Sequence, residues 1–355
     1  MELRHRSFDH ARLIYFDPDG LRREVERHIG LSHGQAGEIT KVGEGGFNRV
    51  LLLTVQDGFE AIVKIPYQLA GPRYFATASE AATLQFLYSK GIPVPQLYGY
   101  SSSNKNSAVT EYISMEKAAG VGLESRWLEM SKRERHKLAS DFVEIETKFF
   151  NLPFQSTGSI YFKADIPPDL QAPLYDEASI HSKTFCIGPT ADYMFWRGKR
   201  TSLDIFRGPW ADPCSYLMSI AQKEIEWVRQ YGKPLKLDFP QNGSTPGEVS
   251  PEEYIHLLEK FLLLAPYVLP RDSDNPLNQP TLRHPDLNPN NIFVSPDSGA
   301  ISCIIDWQHT TAEPCLLVAG HPRAFENLDI KQSLDLKEPS LHSDHNTPSS
   351  GKGRS

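Results

Sequence analysis

Thr281-Leu282-Arg283-His284-Pro285-Asp286-Leu287-Asn288-Pro289-Asn290-Asn291-Ile292-Phe293-Val294 sets a carboxylate, Asp286, and a carboxamide, Asn291, on one loop that runs into an apolar strand. Fifteen residues beyond Asn291 a second carboxylate, Asp306, closes the run Ile304-Ile305-Asp306-Trp307. Phosphoryl transfer needs such a layout. A hydroxyl must give up its proton, and Asp286 can accept it; nucleotide phosphates travel with a divalent ion, and Asn291 and Asp306 can hold one. An Asn/Pro-rich turn between two strands has the same composition, so the rest of the chain decides between the two readings.

The bulk properties narrow the choice. A chain of 355 residues is long enough for two lobes, and 39% apolar with 23% charged residues is ordinary for a globular protein. A net charge of −7 argues against a nucleic-acid-binding surface as the main business. Cys186, Cys214, Cys303 and Cys315 show neither a Cys-x-x-Cys pair nor Cys/His ligand spacing, so no zinc site or disulfide framework is expected, and a reducing compartment is. No apolar run approaches a membrane span; the longest, Phe261 to Ala265, is stopped by Pro266. The N-terminus, Met1 to Arg6, lacks the apolar core of a secretory signal, and Glu2, Asp9, Asp17 and Asp19 do not suit a mitochondrial transit peptide.

In chain order, Leu21, Val25 and Ile29 give a short amphipathic helix, capped by Asp19 and ended by Gly30. Strands are expected over 38–42, 47–55 and 59–65, with Asp57-Gly58 turning the second into the third. The bend Gly43-Glu44-Gly45-Gly46 between the first two would let backbone N–H groups approach phosphates, with Val50 just beyond it. Compared with the kinase loop Gly-x-Gly-x-x-Gly-x-Val, Asn48 stands in the third glycine's place. Strand alternation puts Ile62 and Lys64 on one face, with Val50 beside them: an ammonium for phosphates and apolar cover for an adenine ring. A helix from Thr77 to before Gly91 buries Ala81, Leu84, Leu87 and Tyr88 and carries Glu80 in its first turn. Strands over 96–100 and 108–113 complete a five-stranded sheet. Glu111-Tyr112-Ile113 follows as the hinge whose backbone would bind adenine, which ends a first lobe, with its N-terminal extension, at residues 1–113.

The second lobe, residues 114–330, is expected to be mainly helical. Ser131 to Glu134 is a capping box followed by Leu138, Phe142, Ile145 and Phe149; Asp212-Pro213 starts a second helix and Ser250-Pro251 a third, whose Tyr254, Leu257, Leu258, Phe261 and Leu262 are expected to face inward. Residues 152–207 show no period, and an acceptor pocket using Asp192, Tyr193 and Trp196 is expected there. Asn242-Gly243-Ser244 reads as a turn, and residues 331–355 as a disordered tail.

Gly43 to Asn48, Lys64, Glu80, His284-x-Asp286-x4-Asn291 and Ile305-Asp306-Trp307 occur in this order at separations that resemble the aminoglycoside phosphotransferase-like, protein-kinase-like family. Pro285, where protein kinases have Arg, and Trp307-Gln308, where they have Phe-Gly, point to that branch. Glu-Gly-Gly-Phe-Asn-Arg, Arg-His-Pro-Asp-Leu and Ile-Ile-Asp-Trp-Gln-His-Thr-Thr are similar to the fungal altered inheritance of mitochondria protein 9 group, over roughly residues 8–328. The resemblance implies an α+β, protein-kinase-like two-lobed fold, with an N-terminal antiparallel sheet carrying one helix and a mainly helical C-terminal lobe. It implies ATP and Mg²⁺ as cofactors: Asp286 as catalytic residue; Asn291 and Asp306 as metal ligands; and Lys64, oriented by Glu80, with Gly43, Gly45 and Gly46 around the phosphates. The partner is an unidentified small-molecule acceptor, not nucleic acid. The group usually continues with more helical chain beyond Trp-Gln-His. A nucleotide-binding pseudokinase or interaction module is the alternative. Location is mitochondrial by resemblance, or cytoplasmic by the N-terminus.

Overall fold

The fold is given by a computed structural model, which describes residues 14–30, 34–175, 179–236 and 248–320. Residues 1–13, Asn242-Gly243-Ser244 and residues 331–355 lie outside the described residues.

Helix α1, Pro18–Ile29, starts two residues earlier than the expected cap: Asp17, not Asp19, accepts the orphan N–H groups of Asp19 and Gly20, and Pro18 fits the first turn. Strands β1 (Ala36–Glu44), β2 (Asn48–Val55) and β3 (Glu60–Pro66) form the expected antiparallel meander. Helix α2, Phe75–Ser89, then leads to β4 (Leu97–Ser101) and β5 (Tyr112–Glu116), and the sheet order is β1-β2-β3-β5-β4. Alternation gives this sheet two apolar faces. Leu51, Leu53, Val55, Ala61, Val63 and Ile65 meet Leu21 and Val25 of α1 on one face. Ile113 and Met115 meet Ala81, Leu84 and Leu87 of α2 on the other. Tyr88, expected inside, is 45% exposed: it lies beyond Leu87, the last buried residue, at the C-terminal end of the helix.

Beyond β6 (Val121–Gly122), helix α3, Lys132–Phe150, carries the Ser131–Glu134 capping box and buries Leu138, Phe142, Ile145 and Phe149. Residues 152–207 are more ordered than their composition suggests. Strands β7 (Ser159–Phe162), β8 (Ala172–Pro173) and β9 (Phe185–Gly188) form a small sheet in the order β7-β9-β8. Tyr161 and Cys186 of this sheet pack on Ala78 of α2, while Ile160, Phe185 and Ile187 join the main core. Helix α2 is therefore held between two sheets, which is why eleven of its residues, Glu80 included, are buried.

Helix α4, Pro213–Tyr231, is capped by Asp212, and helix α5, Pro251–Leu264, by a Ser250–Glu253 capping box; the pair β10 (Leu235–Lys236) and β11 (Glu248–Val249) lies between them. The inward face expected for α5 is only partly covered: no residue of the helix is fully buried, and Leu257 is 61% and Leu263 74% exposed. Phe261 does pack beside Leu217, Ala265 and Leu269. Strand β12 (Pro280–Leu282) enters the Asp286 loop, β13 (Ile292–Val294) leaves it, and β14 (Ile301–Ile304) returns antiparallel. Strand β15 (Ala312–Pro314) pairs back onto β12. The four cysteines are free thiols, and among the described residues no helix is long and apolar enough to cross a membrane.

Candidate active site

The β13/β14 hairpin does the placing. Ile292 pairs with Ile304, and the Ile305 N–H donates to the Asn291 carbonyl at 2.9 Å, so Asn291 and Asp306 stand side by side at one end of the ladder. The Asn291 amide donates at 2.8 Å to the backbone oxygen of Asp286, fixing the loop. His284 is the second brace: its Nδ1 accepts the Asp286 N–H at 3.0 Å, so its Nε2 is the protonated nitrogen and donates to the Ile305 carbonyl at 2.8 Å. Burial against Trp307, with ring centroids 4.6 Å apart, lowers its pKa and keeps the imidazole neutral. The Asp286 side chain, by contrast, is exposed on the loop.

Lys64 links the N-terminal sheet and helix α2 to the segment that follows β14. Its Nζ lies 2.7 Å from Glu80 and 2.5 Å from Asp306, which takes a left-handed backbone with φ of 66°. Burial alone would lower the Lys64 pKa, but Asp306 and then Glu80 outweigh it, and the ammonium is held charged. The Lys64 charge in turn lowers the pKa of Asp306, whose carboxylate is 42% exposed. Burial raises that of Glu80, against the pull of Lys64. Glu80 lies in the second turn of α2, not the first, because the helix begins at Phe75.

Above this triad is a cavity of about 430 Å³. Gly45, Asn48, Val50, Ile62 and Lys64 line it from the sheet, and Asn291, Phe293, Ile305 and Asp306 from the hairpin. Val50 pairs directly with Lys64 across the strands, which puts both on the cavity face. A Cβ at Gly43 or Gly46 would meet no atom within 4 Å, so packing within the chain does not require glycine there.

Two expected hinge residues fall elsewhere. Glu111 turns away from this cavity: its carboxylate accepts from the Tyr74 N–H at 3.2 Å and the Thr77 hydroxyl at 2.7 Å at the start of α2, and lines a different cavity of about 530 Å³. Ile113 is buried in the core opposite Lys64, beneath the cavity and not on its wall. The reason is the turn after β4, which Asn106 prolongs by donating to the carbonyls of Ser103 and Thr110, so β5 starts at Tyr112 and not at Ala108. Met115, Glu116, Lys117 and Ala118 line the cavity instead, and the sheet runs past residue 113 to Glu116.

Of the residues expected at an acceptor pocket, Tyr193 packs on Phe47 of the glycine-rich bend and on His309, with centroids 4.9 and 5.6 Å away. Asp192 caps the turn that holds Tyr193. Trp196 is structural: its indole N–H donates to the Thr190 carbonyl at 2.7 Å beneath the Arg207 guanidinium. Sequence reasoning missed Gln308, whose side chain meets Asn48 at 2.6 Å. Nothing in a linear pattern couples residues so distant.

No protein-family model matches the chain. It is 34% identical over 340 residues to a subtelomeric hrmA-associated cluster protein of Aspergillus fumigatus (strain CBS 144.89), covering 86% of this chain and 64% of that protein. It is 27% identical over 317 residues to the mitochondrial altered inheritance of mitochondria protein 9 of Candida tropicalis, covering 82% of this chain and 50% of that one. The chain thus spans between half and just under two thirds of the length of these curated relatives. Among solved structures, a thermostable mutant of aminoglycoside phosphotransferase APH(4)-Ia in a ternary complex with AMP-PNP and hygromycin B gives a TM-score of 0.44 at 12% identity, over 83% of this chain and 73% of that one. The streptomycin-ATP-APH(2")-IIa ternary complex gives 0.41 at 14%, over 85% and 74%. The chain carries an α+β fold with a five-stranded antiparallel sheet at its N-terminal end, and it is similar, over most of its own length, to the altered inheritance of mitochondria protein 9 group.

Proposed function

We propose that the chain is an ATP- and Mg²⁺-dependent phosphotransferase that moves the γ-phosphoryl group to a hydroxyl of a small molecule. One observation carries this reading: Lys64, between Glu80 and Asp306, stands at the wall of a cavity that the glycine-rich bend and Asn291 also line. Val50 and Ile62 on one side and Phe293 and Ile305 on the other are apolar cover for an adenine ring, with the backbone of 116–118 beside it. Lys64 would hold phosphate oxygens, and Glu80 would hold Lys64. The open space at Gly43 and Gly46 suits phosphates approached by backbone N–H groups.

The donor set fits Mg²⁺. With its amide nitrogen bound to the Asp286 carbonyl, Asn291 keeps its oxygen for a cation, and Asp306 has one carboxylate oxygen left beside the one on Lys64. Two protein oxygens plus phosphate oxygens and water are what this ion usually takes. When bound, it would neutralise charge developing on the transferring group. Asp286, exposed and braced through its backbone by His284 and Asn291, would accept the hydroxyl proton. Only residues 307–311 separate Asp306 from β15, too few for an activation segment that docks a protein substrate, which favours a small acceptor.

A second reading is a nucleotide-binding module that acts by interaction in mitochondria; the exposed leucines of α5 favour it, and the names of the relatives supply the location. Nucleotide-dependent thermal shift of the wild type and Asp306→Asn, followed by phosphate transfer to a panel of small alcohols by the wild type and Asp286→Ala, separates the readings. A Mg²⁺-dependent shift lost in Asp306→Asn, with turnover lost in Asp286→Ala, is expected. A shift without turnover on any acceptor favours the module, and no shift at millimolar ATP overturns both.

A further inference from the structure

Two residues at which this chain departs from the kinase template touch each other. Asn48 occupies the third glycine's place in the glycine-rich loop, and Gln308 the glycine's place after Asp306-Trp307. The Asn48 Nδ2 donates to the Gln308 Oε1 at 2.6 Å, across 260 residues of sequence, and the two residues are only 7% and 6% exposed. We infer that Asn48 and Gln308 are a positioning pair that fastens the phosphate-binding loop to the metal-binding segment, so that the two address the nucleotide's phosphates as one body.

The neighbourhood supports this role. The Asn48 carbonyl accepts the Gly45 N–H at 2.9 Å, so the residue that reaches Gln308 also closes the turn of the loop. Gln308 lies two residues beyond Asp306, in a short segment where Asp306 and His309 both take left-handed φ, 66° and 65°, so the segment that Gln308 anchors is the one that carries Asp306. A second fastening runs alongside: Phe47 meets His309 edge-on at 5.3 Å, and the His309 Nε2 donates to the Ala70 carbonyl at 3.1 Å. Alanine at either position would remove the bond without adding the backbone freedom of glycine. A loop that must be ordered on binding weakens affinity by the entropy lost, whereas a loop already ordered does not. The effect therefore belongs to the phosphates, not to the adenine.

This inference rests on the nucleotide reading above, and the test separates the two. Calorimetric titration with Mg²⁺·AMP-PNP and with adenosine is run on the wild type, Asn48→Ala, Gln308→Ala and the double variant. Each single variant is expected to bind Mg²⁺·AMP-PNP on the order of tenfold more weakly, since each releases the loop, which binding must then order. The double variant is expected to lie within about twofold of the weaker single one, because the bond can be lost only once. Adenosine affinity stays at the wild-type value, a result that general loosening of the lobe would not give. If an alanine variant fails to fold, Asn48→Ser and Gln308→Asn, which shorten the reach on either side, are measured instead. Wild-type affinity for Mg²⁺·AMP-PNP in both single variants, or losses that multiply in the double variant, overturns the pair alone. A wild type that binds neither ligand overturns the nucleotide reading, and the pair's role with it.

Discussion

Lys64 and Asp306, 242 residues apart, meet at 2.5 Å, and Glu80 holds the same ammonium from behind at 2.7 Å. Glu80 is 3% exposed and has no water to fall back on. Lys64→Met should therefore destabilise the protein by about 3–5 kcal/mol, the usual result of leaving one buried charge uncompensated. Lys64→Met combined with Glu80→Leu should recover most of the loss, because an apolar pair of similar volume often replaces a buried ion pair at little cost. Urea unfolding of the three proteins reads both effects. A single variant as stable as the wild type would mean that Glu80 is not held as an anion in the fold.

Asp286 and Asn291 share a loop but should respond differently. Asp286→Asn removes an exposed carboxylate whose backbone keeps its bonds to His284 and Asn291, so the melting temperature should stay within a degree or two. Turnover should fall by about 10²–10⁴, the range for a lost general base. Asn291→Ala removes a buried amide and its 2.8 Å bond to the Asp286 carbonyl, so stability should also drop by about 1–3 kcal/mol. Paired melting and single-turnover measurements distinguish the two; equal losses of stability would remove the distinction between chemistry and bracing.

What the sequence revealed follows from where each signal resides. Lys64 was legible because alternation along β3 sets its face, whereas Asn291 and Asp306, which lie just outside β13 and β14, were legible only from the spacing of their motifs. Glu111 and Ile113 were misplaced because the length of the turn before β5 depends on the bonds that Asn106 makes to Ser103 and Thr110, and composition does not encode those. Strands β7 to β9 are two to four residues long, too short to show a period. For α5 the pattern announced an apolar face correctly, but a pattern says nothing about what covers that face. Asn48 read as a departure from the glycine pattern and Gln308 as a mark of the branch, and neither position alone reveals their contact.

Gly120 offers a test of the cavity wall. Its φ is 96°, and a Cβ there would come within 2.4 Å of the Val294 carbonyl oxygen and 2.7 Å of the Ser302 hydroxyl. Gly120→Ala should destabilise by about 1–3 kcal/mol through strain at that backbone. Since Gly120 lines the same cavity as Met115 to Ala118, adenosine binding should weaken as well. Gly43→Ala, with open space at its Cβ, should leave stability nearly unchanged. Melting curves that rank the two alanine variants the other way would contradict the packing described for this wall.

Glu313, on β15, gives the fold a pH dependence of definite sign. Burial first, and then the negative charge of Asp192, push its carboxyl from an ordinary 4.5 up to about 7, although the Tyr216 hydroxyl bonds to it and pulls the other way. Between these two values the folded chain keeps a proton that the unfolded chain has released, so Glu313 makes stability fall as pH rises through that window. Below the window both states are protonated and the contribution vanishes. Glu313→Gln keeps an acceptor for Tyr216 and never ionises. It should be more stable than the wild type at pH 8 by on the order of 1–3 kcal/mol and match it at pH 4. Asp192→Asn should give a smaller gain with the same pH dependence, because it removes only the second cause. Guanidinium unfolding at both pH values decides the matter: a Glu313→Gln difference that is the same at pH 4 and pH 8 would mean that the carboxyl does not titrate in this window.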